Sequence, residues 1–159
     1  MPDKGDASYR KHNIRDAHSQ VTYIGFDYGT KRIGVAVGQT ITYSATPLPI
    51  VCNRKSGQPN WHEITRLVKK WQPDGFVVGI PLNMDGTIGS VTPLARDFAT
   101  QLNHRFDLPV HEVDERLTTV EAKQRLFEAG GYKALKDSAV DSVAAQLILE
   151  SWLRTCANL

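Results

Sequence analysis

Three acidic residues far apart in the chain, Asp27, Glu115 and Asp141, each stand where a regular element is expected to begin or end. Asp27 lies in an alternating, apolar run (VTYIGFDY, residues 21–28), sharing one face with Tyr23 and Gly25 while Ile24 and Phe26 point the other way. A carboxylate on so apolar a strand is costly to bury unless it is paired, hydrogen-bonded or bound to a cation. A turn-capping role ahead of Gly29 is the alternative, but Asp27 precedes that turn by two residues. Glu115, between Asp114 and Arg116, follows the last expected strand and taken alone reads as a solvated surface charge. Asp141 falls in the expected first turn of the last helix, where the helix dipole by itself favours an acid.

Together the three mean more. Converging carboxylates repel unless divalent cations neutralise them, and all-oxygen ligands suit Mg2+ or Mn2+. Two such ions about 3.5–4 Å apart form the clamp used for in-line attack on a phosphodiester. Lys31 and Arg32 beside Asp27, and Arg116 beside Glu115, are then candidate contacts to a phosphate backbone, with charge-balancing surface roles as the alternative. The polar loop at residues 81–90 (PLNMDGTIGS) is a candidate substrate-contacting segment or an ordinary connection.

The elements that must position these groups follow from periodicity. A short turn at Gly29, Thr30 and Lys31 links the first strand to a second at 32–38, close enough to form a hairpin. A third apolar run at 46–52 carries Pro47 and Pro49, the mark of an edge strand. Asn60 and Glu63 open a helix that buries Trp61, Ile64, Leu67, Val68 and Trp71 before Pro73 and Gly75 stop it. The continuous apolar run at 76–80 (FVVGI) predicts a strand buried on both faces. A second helix is expected with Thr92 as its cap, Pro93 at its first position, and Leu94, Phe98, Leu102 and Phe106 on one face. A last strand at 108–113 runs into Asp114-Glu115-Arg116. Thr118 and Glu121 then form a capping box for a helix ending at Gly130-Gly131, and the final helix starts near Asp137 or Ser138.

The order β-β-β-α-β-α-β-α-α predicts an α/β fold of the ribonuclease H-like type: a five-stranded mixed sheet, three antiparallel strands then two parallel, flanked by helices. Its first strand would lie centrally. Gly25, Gly34, Ala36 and Gly38 would give the hairpin one smooth face, and Ala144 and Ala145 a small surface on the last helix near Asp141.

Composition sets the bounds. The 159 residues, 41% hydrophobic and 23% charged, are enough for one domain with its own core. Residues 1–20 contain almost no core formers and are expected to be an extension outside the fold, leaving 21–159 as a single domain. A net charge of +2 permits a nucleic-acid partner but requires any electrostatic footprint to be local. Cys52 and Cys156 lack metal-site spacing and are expected to be reduced thiols. No run approaches the roughly 18 apolar residues that span a bilayer, and the start lacks a signal-peptide core, so a cytoplasmic domain with no membrane contact is expected.

Four segments resemble, in order, the signatures of the YqgF/RuvX family: GFDYGTKRIGVAVG from Gly25, VVGIPLNMDGT from Val77, VDERLTTVEA from Val113 and DSVAAQLIL from Asp141. That family comprises ribonuclease H-like nucleases also described as Holliday-junction-resolvase homologues. The resemblance covers residues 21–153 and places the family's acidic residues on Asp27, Glu115 and Asp141. It implies a divalent-metal-dependent nuclease that matures the 5′ end of the precursor of 16S ribosomal RNA, with structured RNA and ribosomal particles as partners.

The residues suggest three other readings, two of which remain open. Branched DNA is an alternative substrate, for which a homodimer rather than a monomer would be expected. A nucleic-acid-binding or ribosome-associated factor without catalysis is a second. The third, an actin-like phosphotransferase suggested by Asp27-x-Gly29-Thr30, fails on length, because that fold binds nucleotide between two domains.

Overall fold

The computed structural model describes residues 20–116 and 137–157, together with Gln124 and Glu128. β-branched and aromatic residues build β1 (Thr22–Asp27) and β2 (Arg32–Gln39), which pair antiparallel with Asp27 opposite Gly34. β3 (Ser44–Cys52) continues the meander antiparallel to β2. Its prolines confine it to the sheet edge, as expected, because a proline cannot donate to a ladder. Helix α1 (Trp61–Trp71) follows, capped by Asn60, whose side-chain oxygen accepts from the Glu63 amide at 3.3 Å.

β4 (Gly75–Ile80) is buried along its whole length and pairs parallel with β1, setting Gly79 beside Asp27. Helix α2 (Thr92–Phe106) leads to β5 (Val110–Asp114), parallel to β4. The sheet order is β3-β2-β1-β4-β5, with β1 central as the element order predicted. Helix α3 (Asp137–Ala157) closes the described chain. The helix expected from the Thr118 capping box to Gly130 lies outside the described residues.

The period of two divides the sheet residues between two cores. Ile24, Phe26, Val35, Phe76 and Val78 face α1 and α2, where Ile64, Phe98 and Leu102 are buried against them. The opposite face carries Ala36 and Val77 and packs on Ala145, Ile148, Leu149 and Leu153 of α3. Small residues permit that approach: a Cβ at Gly25 would lie 2.8 Å from the Leu149 Cβ. Asp27, two residues from Gly25 on β1, shares this α3 face.

Two helical details differ from expectation. Thr92 is fully buried but does not cap α2; its hydroxyl donates to the Pro81 carbonyl and accepts from the Gly89 amide at 3.0 Å. It therefore ties both ends of the 81–90 loop to the helix start, and Val91 occupies the cap position without a side-chain bond. Leu94 points outward, and the buried stripe runs through Ala95, Phe98, Ala99 and Leu102 instead. Its geometry is that of a wider apolar face, set by the sheet surface it must cover.

Candidate active site

The three acidic residues come from three elements and meet at one end of the sheet. Asp27 is the last residue of β1, and both its neighbours across the ladders are glycines, Gly34 on β2 and Gly79 on β4. Each glycine vacates space that another acid uses. A Cβ at Gly34 would overlap the main chain of Asp141, so the backbone of α3 rests directly on β2 there. A Cβ at Gly79 would lie 2.7 Å from Glu115 Oε2, so that carboxylate lies over the β4 backbone. Asp141 is the fifth residue of α3, one turn in from its start, so the helix-dipole account of its acidity weakens.

Glu115 reaches the site because the β5 alternation continues one residue past the strand. The Glu115 amide donates to the Ile80 carbonyl at 3.3 Å, extending the ladder. Glu115 therefore turns to the α3 face, and Asp114 to the other. Asp114 is exposed and holds Arg116 in a fork, with its carboxylate 2.8 Å from Nε and 2.6 Å from a terminal guanidinium nitrogen. That contact holds the Asp114 carboxyl below its ordinary range.

Asp27 and Glu115 behave as one unit. Burial pushes the Asp27 carboxyl well above the usual carboxylate range, and a hydrogen bond to Glu115 and the charges of Glu115 and Asp141 push the same way. Burial also raises Glu115, opposed in part by the hydrogen bond with Asp27. Both carboxyls are thus pushed toward their protonated forms, because two adjacent buried carboxylates cannot both ionise cheaply. The third acid is neutralised differently: Arg32 Nε donates to Asp141 Oδ2 at 2.7 Å.

Among the described residues no group of three His, Cys, Asp or Glu side chains is arranged to hold a metal ion. The donor set of Asp27, Glu115 and Asp141 is nonetheless all oxygen, the chemistry that suits a hard dication.

The candidate phosphate contacts rim this cluster. Lys31 is exposed in the β1–β2 turn, whose shape is set by Asn53: its Nδ2 donates to the Gly29 and Thr30 carbonyls at 2.8 and 3.0 Å, and its amide to the Lys31 carbonyl at 2.8 Å. Arg116 lies against the 81–90 loop, where Gly86 adopts a positive φ of 86° and a Cβ would sit 3.1 Å from the guanidinium. The sequence offered no role for Gly79 or Asn53 and gave Thr92 a capping role in place of its part as loop anchor. Only Gly79 carried a signal, a glycine inside an otherwise apolar strand.

Comparison with known proteins adds the relationships of this chain. Residues 21–155 match the family model described as RuvX, Holliday junction resolvase. A protein of Shewanella denitrificans named "Putative pre-16S rRNA nuclease" is 58% identical over 131 residues, covering 82% of this chain and 92% of the relative. One of the same name from Aeromonas salmonicida is 55% identical over 135 residues, covering 85% and 96%. Among solved structures, Thermus thermophilus RuvC in complex with a Holliday junction substrate superposes with a TM-score of 0.52 at 13% identity, covering 87% of this chain and 96% of that one. The fowlpox virus Holliday junction resolvase gives 0.51 at 14% identity, covering 86% and 99%. At such identities these two show the fold, the helix-flanked mixed sheet of the ribonuclease H-like class.

Proposed function

The chain belongs to the RuvX family of Holliday junction resolvases, and from that premise we propose that it is a divalent-metal-dependent nuclease processing the 5′ end of pre-16S ribosomal RNA. The observation that carries the reading is the meeting of Asp27, Glu115 and Asp141 above Gly34 and Gly79, where burial raises the carboxyls of both Asp27 and Glu115. These three residues would hold Mg2+ or Mn2+, as a pair of ions. Such ions, when bound, activate a water and stabilise the departing oxygen of a phosphodiester.

The chain's own residues supply the rest. Asp27 and Glu115 would serve as ligands in their anionic forms. Arg32, which holds Asp141, is placed to exchange that carboxylate for a phosphate oxygen as substrate arrives. Arg116 is pre-oriented by Asp114, and Lys31 extends the positive rim; these contacts position the backbone and carry no base specificity. The names of the relatives support pre-16S ribosomal RNA as substrate, and ribosomal particles as partners and a cytoplasmic location belong to the same proposal. Branched DNA is the second substrate reading, supported by the family description. No helix among the described residues is long and apolar enough to cross a membrane.

The test is cleavage of precursor 16S RNA and of a four-way DNA junction, with Mg2+ or Mn2+ and with chelator, by the parent protein and Asp27→Asn. Metal-dependent cleavage of the RNA that Asp27→Asn loses is expected. Equal activity in the variant would remove the catalytic assignment, and cleavage of the junction alone would move the substrate to DNA.

A further inference from the structure

A second surface leads away from the acidic cluster. Between the outer edge of β3 and helix α1 lies a groove of about 480 Å³. Its apolar side is formed by Leu48, Ile50, Leu67 and Trp71, and its α1 rim carries Arg66, Lys69 and Lys70. The single acid along it, Glu63, is engaged by Arg66 at 3.2 Å. Lys70 Nζ stands 5.4 Å from the Trp71 ring centroid, a cation held over an aromatic face at the rim.

The groove lies on the α1 face of the sheet, opposite the face that Asp27 shares with α3, and the chain leads from it to the site around the end of the sheet. β3 runs along it from Leu48 to Val51, roughly 10 Å at the usual strand rise, and Val51 and Cys52 pair with Ile33 and Arg32. The next residue, Asn53, is bonded to Lys31, and the exposed Arg54 and Lys55 follow it. Exposed cations thus stand at both ends of this path, at the turn after Asp27 and on the α1 rim.

An exposed strand edge beside a groove also suits an added strand from a protein partner. Pro47 and Pro49 count against that, since two prolines in the edge strand interrupt the pattern that strand addition needs. An apolar floor carrying an aromatic ring, Trp71, along a cationic rim is instead the arrangement that tracks a single-stranded polyanion, bases against the floor and phosphates against the rim.

We propose that the groove between β3 and α1 binds a single-stranded segment of nucleic acid flanking the phosphodiester presented to Asp27, Glu115 and Asp141. The proposal rests on the nuclease reading for its orientation, but the binding it predicts is measurable without cleavage.

The test is fluorescence anisotropy of a labelled single-stranded oligoribonucleotide of mixed sequence, titrated with the full chain carrying Asp27→Asn, across a salt series without divalent metal. Lys69→Glu/Lys70→Glu in that background is expected to weaken binding by about tenfold or more, and Lys69→Gln/Lys70→Gln by less. The slope of log affinity against log salt should shrink by about 0.7 for each phosphate that the variant no longer neutralises. Circular dichroism melting of both variants excludes misfolding as the cause of weaker binding. RNA affinity and salt slope equal to the parent's in the Glu variant overturn the proposal, and this is the result that a groove for a polypeptide would give. Absence of metal-dependent cleavage by the parent protein is a separate result that overturns only the nuclease reading.

Discussion

Gly34 lies directly beneath the main chain of Asp141, so close that a methyl group on Gly34 would overlap the Asp141 carbonyl. This contact brings α3 onto β2 at the position paired with Asp27, and so decides how near the third acid comes to the other two. Gly34→Ala must push the helix away, because the obstacle is backbone and cannot rotate aside. A loss of roughly 1–3 kcal/mol or more is expected from overpacking of this kind, read by denaturant melts. Activity should fall in parallel.

Gly79→Ala should separate the two effects. The added methyl meets the ends of side chains, Ile148 and the Glu115 carboxylate, both able to turn. A smaller stability cost than for Gly34→Ala is expected, with cleavage nevertheless reduced because Glu115 is displaced. A variant that loses stability as Gly34→Ala does while keeping full activity would contradict this placement of Glu115.

Asp27→Asn should be the informative stability variant. It replaces a buried carboxyl, pushed toward its protonated form beside Glu115, by a neutral amide of the same shape. The metal-free protein is expected to gain roughly 0.5–2 kcal/mol at neutral pH, visible as a higher Tm, while losing cleavage.

The pH dependence follows with its sign. Both Asp27 and Glu115 have folded-state pKa values raised above their ordinary ones. Between the ordinary carboxylate range and the raised values, the folded state binds more protons than the unfolded, so stability falls as pH rises through that window. Metal-free protein should therefore melt higher at mildly acidic than at neutral pH, with the difference reduced in Asp27→Asn. Adding Mg2+ or Mn2+ should recover stability at neutral pH. A parent protein whose melting rises steadily across that window would contradict the raised carboxyls of Asp27 and Glu115.

Asp114 and Glu115 should part company in kinetics. Glu115→Gln is expected to lower kcat by more than about 100-fold, beyond the 10–100-fold typical of residues that only support metal ligands. Asp114→Asn releases Arg116 from its fork and should raise KM for the nucleic acid while leaving kcat close to the parent's. Interchanged effects would reverse the two assignments.

Much of this was legible in the residues. Alternation in β1, the prolines of β3, the apolar run of β4 and the Asn60 cap are local signals, because hydrophobic period and capping chemistry act over a few residues. The same alternation put Asp27 on the face of Gly25, and the spread of small residues over β1, β2 and α3 foretold a close helix approach. Thr92 misled because a threonine ahead of a proline reads as a cap, whereas its hydroxyl is taken by Pro81, eleven residues earlier.

By itself, then, the sequence determined the elements, their order and the three acids, since each depends on residue type and short-range spacing. Which of Asp114 and Glu115 turns inward, that burial raises the carboxyls of Asp27 and Glu115, and that Arg32 holds Asp141 were decided only by the tertiary structure. The physical reason is that charge–charge and packing energies depend on distances of a few ångströms between groups remote in the chain. Arg32 and Asp141 are separated by 109 positions in sequence and by 2.7 Å in space.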